Sequence, residues 1–182
     1  MNSLELYTFL SYLCESKTFD SYNYDVLAAD EVQKIELETL KKRSIYICNT
    51  SPSNHKGTHW VALYIDNKKN VREFFDSYGN NLEIYGEYFD NVRELNPNCV
   101  KRRLQKTGSQ NCGQFCLFYA KMRLKDKSIL QVENKLCFRP EKNNYLVNLE
   151  YRKLFDEVRC IKSNKCCNKT FQTCESFHMP QK

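Results

Sequence analysis

The chain has no run of about 18 consecutive apolar residues, the minimum for a helix that crosses a bilayer, so no membrane span is expected. Its opening stretch, MNSLELYTFLSYLCESK, lacks both the basic start and the continuous apolar segment of a secretory leader. Internal repeats and long linkers are also missing. These absences point to a protein made and used inside a cell, and 182 residues suit one domain around a single core. Histidine is scarce as well. Only His55, His59 and His178 can supply an imidazole for acid–base chemistry or metal binding.

Cysteine, by contrast, is abundant, with ten copies. In a short secreted chain that count signals a disulfide framework. Without a leader, reduced thiols are the expectation. Four cysteines (Cys160, Cys166, Cys167 and Cys174) crowd the last 23 residues. With His178 they form C-x5-CC-x6-C-x3-H, which is not one of the standard paired zinc spacings. The division read from this is a domain over 1–160 and a basic, cysteine-rich tail over 161–182, with no metal assigned. The net charge is +6, and basic residues cluster at Lys41-Lys42-Arg43, at Lys101-Arg102-Arg103 with Lys106, and along Lys121, Arg123, Lys125 and Lys127. Any one cluster reads as a solvated face. Taken together they also fit the footprint of a nucleic acid or another polyanion.

Apolar spacing predicts a short amphipathic helix over 3–16, loop over 17–30, and a second helix capped by Asp30 and running to about Lys42. Strands are predicted at 44–48, 59–65 and 71–75, with 66–70 as the hairpin turn between the last two. A helix follows over 82–95, broken by Asn96-Pro97-Asn98, then a fourth strand over 99–104. The clearest helix covers 112–125, with Cys112, Phe115, Cys116, Tyr119, Ala120 and Leu124 on one face, and another spans 144–160. Helix, strands, helix, strand, helix is an α+β order.

His59 opens an apolar strand and Asp76 closes the next one. If the two strands pair as a hairpin, imidazole and carboxylate meet at the same sheet end, about 5 Å apart. There the carboxylate can accept the ring N–H and fix the tautomer. Cys112 stands where the polar loop Gly108-Ser109-Gln110-Asn111 runs into an apolar helix. A thiol at a helix N-terminus faces unpaired N–H groups and the positive dipole end, which favour the thiolate. A neighbouring imidazolium adds to this and gives an ion pair able to attack a carbonyl. Gly113 allows close backbone approach at the turn. An acyl-transfer site also needs oxyanion donors: the Cys112 backbone N–H is one, and the side-chain amides of Gln105 and Gln110 both qualify as the second.

These residues resemble a known family. Thr58-His59-Trp60-Val61-Ala62-Leu63, then Phe74-Phe75-Asp76-Ser77-Tyr78-Gly79, then Gln105 with Asn111-Cys112-Gly113-Gln114-Phe115-Cys116, look like the adenovirus protease (adenain), in the wider clan that includes the SUMO-specific proteases. The spacings agree, with 17 residues from His59 to Asp76 and 7 from Gln105 to Cys112. The likeness covers about residues 22–126. It departs from adenain in having Asp76 where that family has glutamate, and in the short 36-residue segment from Asp76 to Cys112.

The resemblance implies a central mixed, mainly antiparallel sheet packed between helices. It implies a cysteine endopeptidase that cleaves after small, glycine-type residues in viral or virus-like-element precursor proteins, through a thioester. His59, Asp76 and Cys112 would be catalytic. Gln105 becomes the preferred oxyanion donor, with Gln110 as fallback, and Trp60 and Gly113 would contact substrate or support the site. No cofactor is required for the chemistry, but the family is stimulated by DNA and by a peptide that forms a disulfide with the protease, and Cys99 lies roughly where that partner cysteine would be. A monomer in a virion or host nucleus is the corresponding setting. The alternative enzyme is a SUMO- or ubiquitin-specific isopeptidase using the same triad. The alternative class is a non-catalytic, basic nucleic-acid-binding protein.

Overall fold

Ser44-Ile45-Tyr46-Ile47-Cys48 and Trp60-Val61-Ala62-Leu63-Tyr64-Ile65 are apolar at nearly every position, rather than at alternate ones, because their sheet is covered on both faces. The structure, a computed structural model, describes residues 1–16 and 22–162. Its sheet has five strands in the order β1-β2-β3-β4-β5: Asn23–Leu27, Ser44–Asn49, Trp60–Asp66, Val71–Phe75 and Asn98–Cys99. The inner pairs β2–β3 and β3–β4 are antiparallel, and the outer pairs β1–β2 and β4–β5 are parallel.

Side chains sort by strand parity into two cores. Ile45, Ile47, Ala62, Tyr64 and Phe75 face one layer with α1 (Ser3–Glu15), α4 (Cys112–Arg123), α5 (Ile129–Lys135) and α6 (Pro140–Lys162). Tyr46, Cys48, Val61, Leu63, Ile65 and Phe74 face a second layer built from the two crossovers, with α2 (Ala29–Val32) and α3 (Asp90–Glu94). The expected α+β architecture, a mixed sheet between helical layers, is what forms.

Several elements differ from expectation. β1 falls in the stretch read as loop, since Asn23 and Asp25 disfavour strand and the strand is a half-exposed edge held by parallel pairing to β2. The helix expected from Asp30 to Lys42 stops at Val32, where the Asn91 side chain takes the carbonyls of Val32 and Ile35. The helix expected over 82–95 is two 3-10 turns, Leu82–Tyr85 and Glu87–Phe89, followed by α3. Gly86, at φ 67°, separates the first two. The fourth strand is only two residues long. Beyond it the backbone bonds elsewhere: Lys101 N–H to the Glu133 carboxylate, and Leu104 and Gln105 N–H both to the Ser77 carbonyl. α5 was not anticipated, although Ser128 and Gln131 form a capping box at its start. The basic tail expected over 161–182, with its zinc-type set Cys166, Cys167, Cys174 and His178, lies outside the described residues apart from the end of α6.

Two features set α4 against the sheet. Phe75 stacks on Tyr119 at 4.6 Å between ring centroids. Buried Glu73 of β4 accepts from the Tyr119 hydroxyl at 2.6 Å and from the Ile129 N–H at 3.1 Å, with Arg123 Nε 3.4 Å away. Arg123 is therefore a core residue, and the basic residues of 121–127 do not form one exposed stripe. Arg102 is committed as well, donating to the carbonyls of Glu133, Leu136 and Cys137 at the end of α5.

Gly79 holds φ 66°, and a Cβ there would lie 2.5 Å from the Arg102 carbonyl carbon and oxygen and 2.9 Å from the Arg103 nitrogen. The chain crosses itself here and neither backbone can step aside. Gly79→Ala should lower stability by about 2 kcal/mol or more, read as the urea midpoint. An unchanged midpoint would mean that the 102–103 crossing yields freely.

Candidate active site

His59 lies just before β3 and Asp76 just after β4. Ala62 opposes Phe75, so one further step of the register sets Asp76 across from Val61, and His59 becomes its diagonal neighbour on the same face. Long side chains bridge that diagonal: His59 Nε2 lies 2.7 Å from Asp76 Oδ1, with side-chain exposures of 12% and 1%. Asp76 accepts three more bonds. Tyr78 N–H reaches Oδ1 at 2.9 Å; Asn80 N–H reaches Oδ2 at 3.2 Å and the Tyr85 hydroxyl does so at 2.5 Å. Burial alone would raise the carboxyl, but the bond and charge of His59, then the Tyr85 and Tyr78 bonds, hold it below its usual range.

With Nε2 committed to Asp76, Nδ1 is left for the ring's other partner, Cys112. Cys112 is the first residue of α4, where the backbone N–H groups of Trp60 and Gly113 favour its thiolate form. Burial would push this thiol up. The His59 bond, the Trp60 N–H, the imidazolium charge and the Gly113 N–H outweigh it, and the thiol sits below its ordinary value. Burial likewise pushes His59 down, but its bonds to Asp76 and Cys112 raise it to about 9. The arrangement therefore favours a thiolate–imidazolium pair. Other thiols behave oppositely: burial lifts Cys14 to about 12, and raises Cys48, Cys99 and Cys116 too.

All three residues chosen from the sequence meet at one place. Trp60 is partly exposed, and its backbone N–H favours the Cys112 thiolate. Gly113 is buried, and the close approach it allows is that of α1: a Cβ there would lie 3.0 Å from Met1 Sδ and 3.3 Å from Leu6 Cδ2. Gln105 is fully buried with its amide occupied. Nε2 donates to Tyr78 Oη at 3.1 Å and to the Ser109 carbonyl at 2.8 Å, and Oε1 accepts from Ser77 Oγ at 2.6 Å. Gln110 is exposed.

Sequence reasoning overlooked Tyr85. It stacks on the imidazole, 6.3 Å between centroids at 21°, while donating to Asp76. Tyr78 covers the ring from 5.1 Å. Tyr85 sits in a stretch that read as plain helix, so nothing local marked it. His55 is exposed and bonds to Asn54, outside the site. Cys99 is half-buried in β5, and its thiol bonds to the Pro97 carbonyl. Cys14, Cys48, Cys99, Cys112, Cys116 and Cys137 are free thiols, whereas Cys160 is disulfide-bonded, so the expectation of reduced cysteines fails at that position.

Among the described residues no three histidine, cysteine or acidic side chains are grouped to hold a metal, and no helix is long and apolar enough to cross a membrane.

No protein-family model and no curated protein sequence matches the chain. Its similarities are to solved structures. ASFV pS273R protease superposes with a TM-score of 0.52 at 16% identity, over 79% of this chain and 64% of that one. ChlaDub1 from Chlamydia trachomatis gives 0.47 at 13% identity, over 64% and 62%. The Chlamydia trachomatis effector Cdu1, bound to ubiquitin, gives 0.46 at 12% identity, over 86% and 79%. The chain thus spans less than two thirds of the first two proteins, and what it shares with the ASFV protease is the fold.

Proposed function

We propose that the protein is a cysteine endopeptidase with Cys112 as nucleophile, His59 as general base and acid, and Asp76 as the group that orients the histidine. One observation carries this reading: His59 bridges a buried carboxylate and a thiol that opens a helix, so the ring is oriented on one side and ionises its partner on the other. The Cys112 thiolate attacks the scissile carbonyl carbon, a C–S bond forms, and the carbonyl electron pair moves to oxygen. Collapse expels the amine, which takes the proton from His59 Nδ1. Water then attacks the thioester, His59 accepts its proton, and the thiolate leaves.

The oxyanion would be received by the Cys112 N–H. Gln105 would supply the second donor by releasing the longer of its two bonds, that to Tyr78 Oη, whose own hydrogen stays on the Ser109 carbonyl. The substrates that fit this reading are proteins cut after small residues, since the resemblance of the site's motifs to adenain implies them.

A panel of peptides ending in Gly-Gly, with and without DNA, set beside ubiquitin and SUMO fusions, tests the reading. Cleavage of the peptides supports an endopeptidase. Preference for the fusions would move the assignment to an isopeptidase with the same triad. Alkylation gives a second, substrate-free test. Because Cys112 is depressed and its described neighbours are raised, iodoacetamide at pH 6 should label Cys112 first. The hydrolysis rate should rise through the lowered Cys112 value and fall as pH passes about 9, where the imidazolium loses its proton. Uniform labelling of accessible thiols at pH 6, with no cleavage of any substrate, would refute the proposal.

A further inference from the structure

Asn111 directly precedes Cys112 and occupies the N-cap of α4. An asparagine in that position ordinarily turns its side-chain oxygen back onto the second or third amide of the helix, here Gly113 or Gln114. In this protein no side chain caps α4, and residue 111 itself, at φ -97° and ψ 7°, is outside the extended conformation from which a cap is made. Asn111 points to α6 instead: its Nδ2 donates to Asn148 Oδ1 at 2.6 Å, and its Oδ1 accepts from Asn144 Nδ2 at 3.3 Å. The same helix holds the loop at two earlier points. Asn144 Oδ1 accepts the Lys106 N–H at 3.1 Å, and the buried Asn143 donates to the Leu104 carbonyl at 3.0 Å. Three neighbouring asparagines thus grip the segment that delivers the thiol.

The diversion of Asn111 matters because Gly113 follows Cys112 in the first turn of α4, and its N–H is one of the groups that favour the thiolate. A conventional cap at residue 111 would compete for that N–H and weaken its support of the thiolate. Resting on the reading of Cys112 as nucleophile, we propose that Asn148 and Asn144 are positioning residues: they hold the Asn111 side chain away from the first turn of α4, so that its amides serve the thiolate, and they fix where the thiol stands relative to His59.

The test compares the full chain with Asn148→Ala, Asn144→Ala and the double variant Asn111→Ala/Asn148→Ala. In Asn148→Ala the freed Asn111 can turn its backbone to the extended conformation and cap α4. The Cys112 thiolate fraction at pH 6, read from iodoacetamide labelling rate and mass spectrometry, should fall roughly threefold. Turnover should fall about tenfold with KM unchanged. In the double variant no cap can form, so labelling should return toward the native rate even though the tether is still missing. A merely structural brace predicts no such recovery. Asn144→Ala, which removes the longer bond to Asn111 together with the bond to the Lys106 N–H, should show the same changes at smaller size, and it decides the matter if Asn148→Ala fails to fold. Labelling rates and kcat that stay native in folded Asn148→Ala or Asn144→Ala, with only the melting temperature lowered, would overturn the proposal. If native Cys112 itself labels no faster than the other thiols, it is the nucleophile assignment that fails, and the two failures are distinct.

Discussion

Cys112→Ala is expected to abolish hydrolysis, lowering kcat by roughly five orders of magnitude or more, while the protein still folds. The residue opens a helix, where alanine is well tolerated, and its side chain is only partly exposed. Its loss removes the one thiol among the described residues that its surroundings hold below the ordinary value. The remaining described thiols cannot substitute: Cys116, one helical turn on, is fully buried and raised well above its ordinary value. His59 loses the partner that helped hold its proton, so it should titrate lower in the variant, a shift that imidazole NMR resonances report. Cleavage assays together with thermal melts check the claim. Activity above about a tenth of native in a folded Cys112→Ala protein would remove this residue from the chemistry.

Asp76→Asn should produce the second-largest effect, a fall in kcat of about two to four orders of magnitude. Asp76 accepts from four donors, two at each oxygen. Asparagine has one oxygen, so its NH2 group must face either the Tyr78 N–H and His59, or the Asn80 N–H and the Tyr85 hydroxyl. If the NH2 faces His59, the ring proton shifts to Nδ1 and the nitrogen that should accept from Cys112 is blocked. If it faces the other pair, donors oppose donors in a buried place, at a cost of about 1–3 kcal/mol for each unmet group. The variant should therefore be both slower and less stable. Asp76 is held below its ordinary value in the folded state, so its contribution to stability is fully present above that value and fades as pH falls through the lowered one. The melting-temperature gap between native and variant should accordingly narrow in acid. A gap that is constant down to acid pH, or a kcat within tenfold of native, would contradict this account.

The central part of the fold could be read directly from residues. β2, β3 and β4 are dense in β-branched and aromatic residues, and Asp66-Asn67-Lys68-Lys69-Asn70 turns the hairpin, so their limits were nearly right. The hairpin in turn placed His59 beside Asp76 by register alone. α4 was equally plain from its apolar spacing, and the loop before it marked Cys112. What escaped depends on contacts distant in sequence. β1 is a strand because β2 lies beside it, not because Asn23 and Asp25 favour extension. α2 stops where a side chain 59 residues away captures its last carbonyls. Tyr85 and Asn148 touch the reacting groups or their supports from turns and helices whose local pattern says only that they fold. Gln105 was preferred to Gln110 through family likeness, but its hydrogen bonds were not foreseeable: both amide hydrogens are already taken in the resting protein.

The Ser77 carbonyl receives the N–H groups of both Leu104 and Gln105 at 2.8 Å, and the backbone at 102–103 passes over Gly79 immediately beside it. The turn bearing the carboxylate and the path toward the sulfur are thereby sewn together at a single seam. The excursion over residues 80–101 leaves from that seam and returns to it, bringing the Asn80 N–H and the Tyr85 hydroxyl back to the carboxylate and β5 to the edge of β4. The 36-residue route between Asp76 and Cys112 is thereby pinned close to both ends, so the spacing of carboxylate and thiol is set where residues 77–79 meet 102–105 rather than by the length of chain between them.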